Sequence, residues 1–509
     1  MATSDPNALL KMPTASQLLK PLAPDGTHLA SVGGGVPVSG LNQIYPKPAI
    51  EIGSRGSDSP DQAAVPIDGQ ITDQITDQIS GQQPQFCEIQ SLRPNLRASM
   101  LDGGFYGLTL GCGETFLPAF ALAVGLGEVV SGLVTSLPIF FGGIVQLISL
   151  RALTWAGSYK KWIVAGVAMQ AMTFLPLIAA AIYGSISSWA FFLVASIYWG
   201  TGLAAGPAWN AWIGHVVPEP IRANFFAKRT RIIQITTLIG FLIGGGLLQW
   251  TKGIDAVLWG FATLFIVAGL SRFACVVYLV KHRTSKADDD VHPERVRWME
   301  TWRGISPKSR NLIVYLICMQ ACVQFSGPYF VPYIIKQLNY SYTAFAIVIA
   351  AALVARILAL NLWGRVARDY GVDKLLIIGG VGLLPLASLW ILSPSLPWLI
   401  VVQMLSGLLW SAYELAFFLM FMEEIPQKRR ASALTIFNFG NSCMWCLGAL
   451  AGGWWLTQFG ASIESYHGVF VISSLTRVLC VGLLWRVVRK PGPTALSLDA
   501  SILPAEASA

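Results

Sequence analysis

Charge is what this sequence is short of. Only 12% of its 509 residues are Asp, Glu, Lys or Arg, while 54% are hydrophobic. A soluble globular domain carries about a quarter charged residues, so a water-solvated fold of this length is excluded. Histidine is scarce and scattered, at positions 28, 215, 282, 292 and 467. No HExxH occurs, nor a GxxxxGK followed by Ser or Thr. Catalysis and ATP-driven pumping are therefore disfavoured, and no cofactor or metal site is expected. Seven of the eight cysteines lie in or at the edge of apolar runs, which leaves no disulfide framework in the loops. Cys443 and Cys446 form a CxxC, but in an apolar helix without a second pair they are expected to be small packing residues. The start of the chain lacks the continuous apolar core of an export signal. The net charge of +8 is dispersed in short segments between apolar runs, which speaks for membrane topology and against a nucleic-acid partner.

What is present is a series of long apolar runs. Residues 1–94 contain none; rich in Pro, Gly, Ser, Asp and Gln, with the tandem ITDQITDQI, they are expected to be a disordered tail. After Arg97 twelve runs follow: 101–126, 129–150, 162–183, 188–214, 231–250, 257–280, 311–335, 342–364, 374–393, 396–421, 432–457 and 467–488. Each can cross about 30 Å of hydrocarbon as a helix, the form that satisfies its backbone within the segment. The expected fold is an all-α membrane protein of twelve transmembrane helices in two pseudo-symmetric six-helix bundles, 95–280 and 311–490. A linker, 281–310, joins them, and a disordered C-terminal tail, 491–509, follows.

Basic residues fall in alternate loops: Arg151 with Lys160 and Lys161, Arg222 with Lys228 and Arg229, the linker, Arg365 with Arg368 and Lys374, and Lys428 to Arg430. The remaining loops are nearly uncharged. By the positive-inside rule the basic loops and both termini are expected in the cytoplasm, with the chain in the inner or plasma membrane.

The two halves are written from one unit. LSRFACVVYL (270–279) returns as LTRVLCVGLL (475–484), with an arginine inside an apolar run each time. RALTWAGSYKKWIVAGV (151–167) returns as RVARDYGVDKLLIIGGV (365–381), and FLP (116–118) as FVP (330–332). Six spans return the chain to its starting side, so the halves share an orientation and an axis along the membrane normal.

Twelve spans in two parallel halves, a long charged link and a basic loop after the second and eighth spans resemble the major facilitator superfamily of secondary transporters, over residues 95 to about 490. PAWNAWIGHVVPEPIRANFFAKRTR (207–231) and NLWGRVARDYGVDK (361–374) resemble a bacterial branch of it. The resemblance implies alternating access of a small solute around a central cavity, and a monomer. The family's loop motif carries an acid and then a base between glycines, whereas GRVARDYG inverts them as Arg368 and Asp369. A second family feature, an acid seven residues before an arginine, is present as Glu423 and Arg430 but as His215 and Arg222 in the first half. These residues are the candidates for a cytoplasmic gate. Solvated loop charges are the competing reading.

Ionisable residues in cavity-lining spans are the candidates for function. Glu114 lies about 18 Å from Asp102 by helical rise, near mid-membrane, three residues past a Gly103, Gly107, Gly111 series that favours close helix packing. A carboxylate at that depth is costly as an anion, which suits a carrier of a coupling proton; a structural hydrogen bond is the alternative. Arg356 and Glu414, at one depth in the eighth and tenth spans, are expected to pair. Gln324, Tyr329, Trp410, Tyr413, Asn438 and Asn441, with Tyr198, Trp199 and Asn210, are candidate cavity walls. For Arg272 and Arg477 the plain expectation is a side chain stretched toward the membrane interface. The expected function is secondary active transport of a small solute, coupled to protons, within the lipid bilayer. A non-transporting membrane sensor or scaffold of the same fold is the alternative, and it need not keep a polar cavity between its halves.

Overall fold

The computed structural model describes residues 92–282 and 298–488. The tails expected at 1–94 and 491–509 lie outside these residues, apart from 92–94, as does the 283–297 half of the 281–310 linker. Residues 92–94 belong to the first helix and not to a tail. No strand occurs among the described residues.

In chain order the first half comprises α1 (92–112), a 3-10 turn Glu114–Phe116, α2 (Leu117–Ala123), α3 (Glu128–Leu133), α4 (Leu137–Ala156), α5 (Tyr159–Met172), α6 (Phe174–Tyr183), α7 (Ser188–Val216), α8 (Glu219–Gly253) and α9 (Val257–Lys281). A short α10 (Trp298–Gly304) leads into the second half. There follow α11 (Pro307–Gln324), a 3-10 turn Gly327–Tyr329, α12 (Phe330–Pro332), a π turn Tyr333–Gln337 and α13 (Tyr342–Tyr370). The half ends with α14 (Val372–Gly382), α15 (Leu389–Leu392), α16 (Leu396–Glu424), α17 (Gln427–Phe459), α18 (Ile463–Leu479) and α19 (Val481–Val488).

Ten of these helical stretches are long and apolar enough to span a bilayer. The other two expected crossings, 101–126 and 374–393, fall on interrupted helix. Residues 92–123 break at the 3-10 turn, and 372–392 break between α14 and α15. The first break has a local cause. Pro118 has no N–H to offer the carbonyl of Glu114, so the α-helical ladder fails there and Leu117 N–H bonds Glu114 O in a tighter turn instead. The seventh span is broken beside the repeated FVP as well, by a 3-10 turn that ends at Tyr329, one residue earlier relative to the motif than the turn ending at Phe116.

Helix starts are capped from the sequence. Ser158, Ser187, Ser306, Ser341 and Ser462 each accept a hydrogen bond from the backbone N–H three residues on. Gly157 and Gly184 end α4 and α6 with φ of 63° and 77°, a left-handed cap that favours glycine.

Small residues set which helices approach closely. A Cβ at Gly107 or Gly111 would collide with the backbone of α8 at Ile233 and Thr237, and a Cβ at Gly448 or Gly452 with the carbonyls of Ala321 and Phe325 on α11. The first and fifth spans thus meet as the seventh and eleventh do, the two halves repeating one packing solution. One large apolar cluster runs through both halves, centred on Phe116, Phe120, Phe265, Tyr329 and Phe345, while a second is confined to the other end of the second half.

The halves meet most closely at the end whose loops carry little charge. Phe345 of α13 packs on Phe116 and Phe241, and Tyr342 on Phe261. Tyr329, fully buried, lies against Gly132 of α3 and donates to Ala449 O at 2.6 Å. Gly143 of α4 faces Ser442 of α17 near mid-helix. At the basic end Arg229 pairs with Asp102 at 2.7 Å in the first half, and Lys308 pairs with Glu424 at 2.7 Å and Asp373 at 3.7 Å in the second.

Candidate functional site

Glu114 sits on the break in the first span, and that placement gives its side chain a direction. It points across the bundle to α7, where Tyr198 Oη donates to its Oε2 at 3.1 Å. Leu117, Phe174, Leu177, Val194 and Ala195 complete a small cavity beside the pair, with room of about 10 Å³, one water. No cation lies within salt-bridge distance of this carboxylate among the described residues.

Behind Tyr198 the network continues. Its backbone carbonyl accepts from Gln170 Nε2 at 2.9 Å, and Gln170 Oε1 accepts from Arg272 through Nε at 3.1 Å and through Nη2. The Arg272 guanidinium also lies 4.7 Å over the Tyr106 ring. At 7% exposure Arg272 is buried inside its own bundle, so the expectation of a side chain stretched to the interface fails. A forked donor with a partner in the third span has no reason to leave it. The repeat copy behaves alike. Arg477, 3% exposed, donates to Leu383 O at 2.8 Å, the ninth span, and to Ser326 and Ser473 hydroxyls at 3.1 and 3.0 Å. Both arginines tie the last span of a half to its third span.

Arg356 and Glu414 are brought together, Nη1 to Oε2 at 3.2 Å. The reason lies one and two turns away, where Gly407 lets α16 press on the Ala352 carbonyl of α13. Arg356 projects away from the exposed stripe of Val354, Leu358 and Leu362, hence toward the protein. Its side chain is 11% exposed and that of Glu414 37%, so the acid remains the accessible partner. Trp410 packs edge-on to Tyr413, ring centroids 5.8 Å apart, and Tyr315 packs edge-on to the same ring at 6.2 Å. Asn438 Oδ1 and Trp445 Nε1, seven residues apart on α17, are buried and have no hydrogen-bond partner among the described residues. Asn441 is buried on the same helix, and so is Gln324 on α11.

The gate candidates behave differently from one another. Arg430 donates to the carbonyls of Ile425, at 2.8 Å, and Met422, closing the end of α16. Arg222 repeats this on Val217 O at 3.2 Å at the end of α7. Glu423 is exposed, and its neighbour Glu424 takes the lysine. Arg368 and Asp369 are exposed. The His215 side chain lies outside the described residues.

Residues that sequence reasoning missed lie where the halves touch. Glu128, first residue of α3, accepts hydrogen bonds from Tyr466 Oη and, at 3.1 Å to each oxygen, from Gln337 Nε2. A span-end carboxylate is cheap in the polar interface, so hydropathy raises no signal there.

Comparison with known proteins agrees with this architecture. A model of the Major Facilitator Superfamily matches residues 103–355 and 312–504. Among curated proteins, no sequence relative matches. Solved structures resemble the fold at low identity. A variant of the nucleoside transporter NupG matches with a TM-score of 0.62 and 15% identity, over 78% of this chain and 100% of that one. A bacterial homolog of the human lysosomal transporter Spinster matches at 0.60 and 13%, over 77% and 96%. A peptide transporter, POT, in complex with sulfate matches at 0.58 and 12%, over 78% and 95%.

Proposed function

Since this chain belongs to the major facilitator superfamily, we propose that it moves a small solute across the membrane by alternating access and couples that movement to a proton carried by Glu114. The observation that carries the coupling is the Glu114–Tyr198 contact at a helix break, beside a cavity large enough for one water and without a cationic partner in salt-bridge range among the described residues. A carboxylate so placed has no fixed counter-charge to hold it ionised, while Tyr198 offers a hydrogen bond whenever it is ionised. The chain's own polar groups supply the rest. Arg356 and Glu414 neutralise each other, leaving an exposed acid edge, and Asn438 and Trp445 hold an acceptor and a donor on α17 that no described residue uses. Such a set serves a solute recognised by hydrogen bonds.

The basic loops support an orientation with both termini and the linker in the cytoplasm, in which case the closed end faces outward. The solute is to be found by thermal-stabilisation screening of the purified protein. In proteoliposomes Glu114→Gln should then abolish pH-driven transport and retain solute exchange at equal pH on both sides, since exchange needs no net proton release. Full pH-driven activity in Glu114→Gln ends the proposal. A scaffold of this fold would show neither stabilisation nor exchange.

A further inference from the structure

We infer that Glu128 is the latch that holds the two halves together at their sparsely charged end, a role in the transport cycle that rests on the alternating-access reading above. The carboxylate belongs to the first half and all its described hydrogen-bond donors to the second. Tyr466 Oη, on α18, donates to Oε2, and Gln337 Nε2, at the end of the π turn, lies 3.1 Å from both oxygens. Gln337 Nε2 also reaches Ala461 O at 2.7 Å, in the turn before α18. One acid therefore gathers the seventh and twelfth spans onto the start of the second.

The π turn is part of the device. Leu338 N bonds Tyr333 O at 2.9 Å and Tyr340 N bonds Ile334 O at 3.1 Å, so the helix is widened where Gln337 must turn inward. Such a turn is less favourable than α-helix and is common at functional positions. Tyr333, within it, packs at a tilt of 43° against Tyr466 with ring centroids 5.4 Å apart and shares a hydrogen bond with His467 Nε2 at 3.2 Å, which holds the Tyr466 ring in place for Glu128.

The surrounding join is mostly apolar or neutral. Gly453 lies against Val129 and Tyr329, Gly245 against Ala346, and Gln249 Oε1 accepts from Tyr342 N at 3.1 Å. Lys252 adds a cation–ring contact to Tyr342 at 5.9 Å. Apolar faces separate and re-form without a directional requirement, whereas hydrogen bonds to a carboxylate are strong, geometric and lost together when the halves part. Glu128 thereby sets how often this end opens. Removing it shifts the ratio of open to closed forms by about tenfold or more, the effect of losing one charge-assisted hydrogen bond.

The test uses the full chain in proteoliposomes, with no solute required. Val129→Cys places a thiol of slightly smaller volume in the closed join, and a membrane-impermeant maleimide added on that side, scored at position 129 by peptide mapping because the chain has eight cysteines of its own, reports opening. Labelling should be slow in the parent, at least tenfold faster with Glu128→Ala, and faster by a smaller factor with Tyr466→Phe, which deletes a single oxygen. Melting temperatures are measured on the same samples. Unchanged labelling with either substitution overturns the inference, as does faster labelling that appears only with a collapsed melting transition. If Glu128→Ala does not fold, Tyr466→Phe and Gln337→Leu decide alone. Because the readout is accessibility and not flux, failure of Glu114 as a proton carrier leaves this outcome untouched.

Discussion

Arg356 Nη1 stands 3.2 Å from Glu414 Oε2, and the two helices that carry them touch where Gly407 meets the Ala352 carbonyl. The ion pair and the glycine contact are one construction, the second bringing the first within reach.

Removing either charge alone should therefore cost more than removing both. Arg356→Met or Glu414→Gln is expected to destabilise by roughly 3 kcal/mol or somewhat less, given the partial exposure of Glu414, while the double variant recovers much of the loss. Thermal melts of all four proteins check this, and additive losses would count against a coupled pair.

Gly407→Ala should act on the same pair from a distance. The new Cβ collides with Ala352 O and pushes α16 from α13, at a cost of about 1–3 kcal/mol. In that background the coupling between positions 356 and 414 should shrink toward zero. A melt-derived double-mutant cycle repeated with Gly407→Ala measures it.

Arg272→Met should destabilise by about 1–3 kcal/mol, because Gln170 Oε1 loses its donor inside the bundle. Arg272→Lys should recover little, since an ammonium cannot reproduce the forked contact and the stacking over Tyr106. A chain whose Arg272 merely reached for the membrane surface would accept lysine without loss.

Stability should depend on pH through His282, just outside the sixth span. Burial pushes its imidazole down from 6.5 to about 4, with Asp102 opposing and Lys160 and Arg229 reinforcing the shift, and neither ring nitrogen has a hydrogen-bond partner among the described residues. The folded form holds the neutral ring, while the unfolded chain takes up a proton below about 6.5. This contribution is therefore complete above pH 6.5 and lost as pH falls toward 4, by roughly 3 kcal/mol at most. Melts between pH 7 and pH 4.5 should show a decline that flattens in His282→Phe, which keeps a ring against Trp212.

The sequence by itself determined the class of solvent, the membrane-crossing runs, the repeat and hence the superfamily. These are local or periodic properties, since hydrocarbon demands apolar side chains and internally bonded backbone wherever the chain crosses. It also marked Glu114 by depth, and Pro118 four residues on accounts for the break there. Which polar groups meet was decided only by the tertiary structure. Gln170 is 102 residues from Arg272, and Glu128 is 338 from Tyr466. Their meeting depends on how each helix is rotated and how closely glycines let it approach a neighbour, and neither leaves a trace in hydropathy. The paired arginines show the division plainly: the repeat announced that Arg272 and Arg477 are equivalent, but packing turned both inward to the third span of their own half and away from the interface.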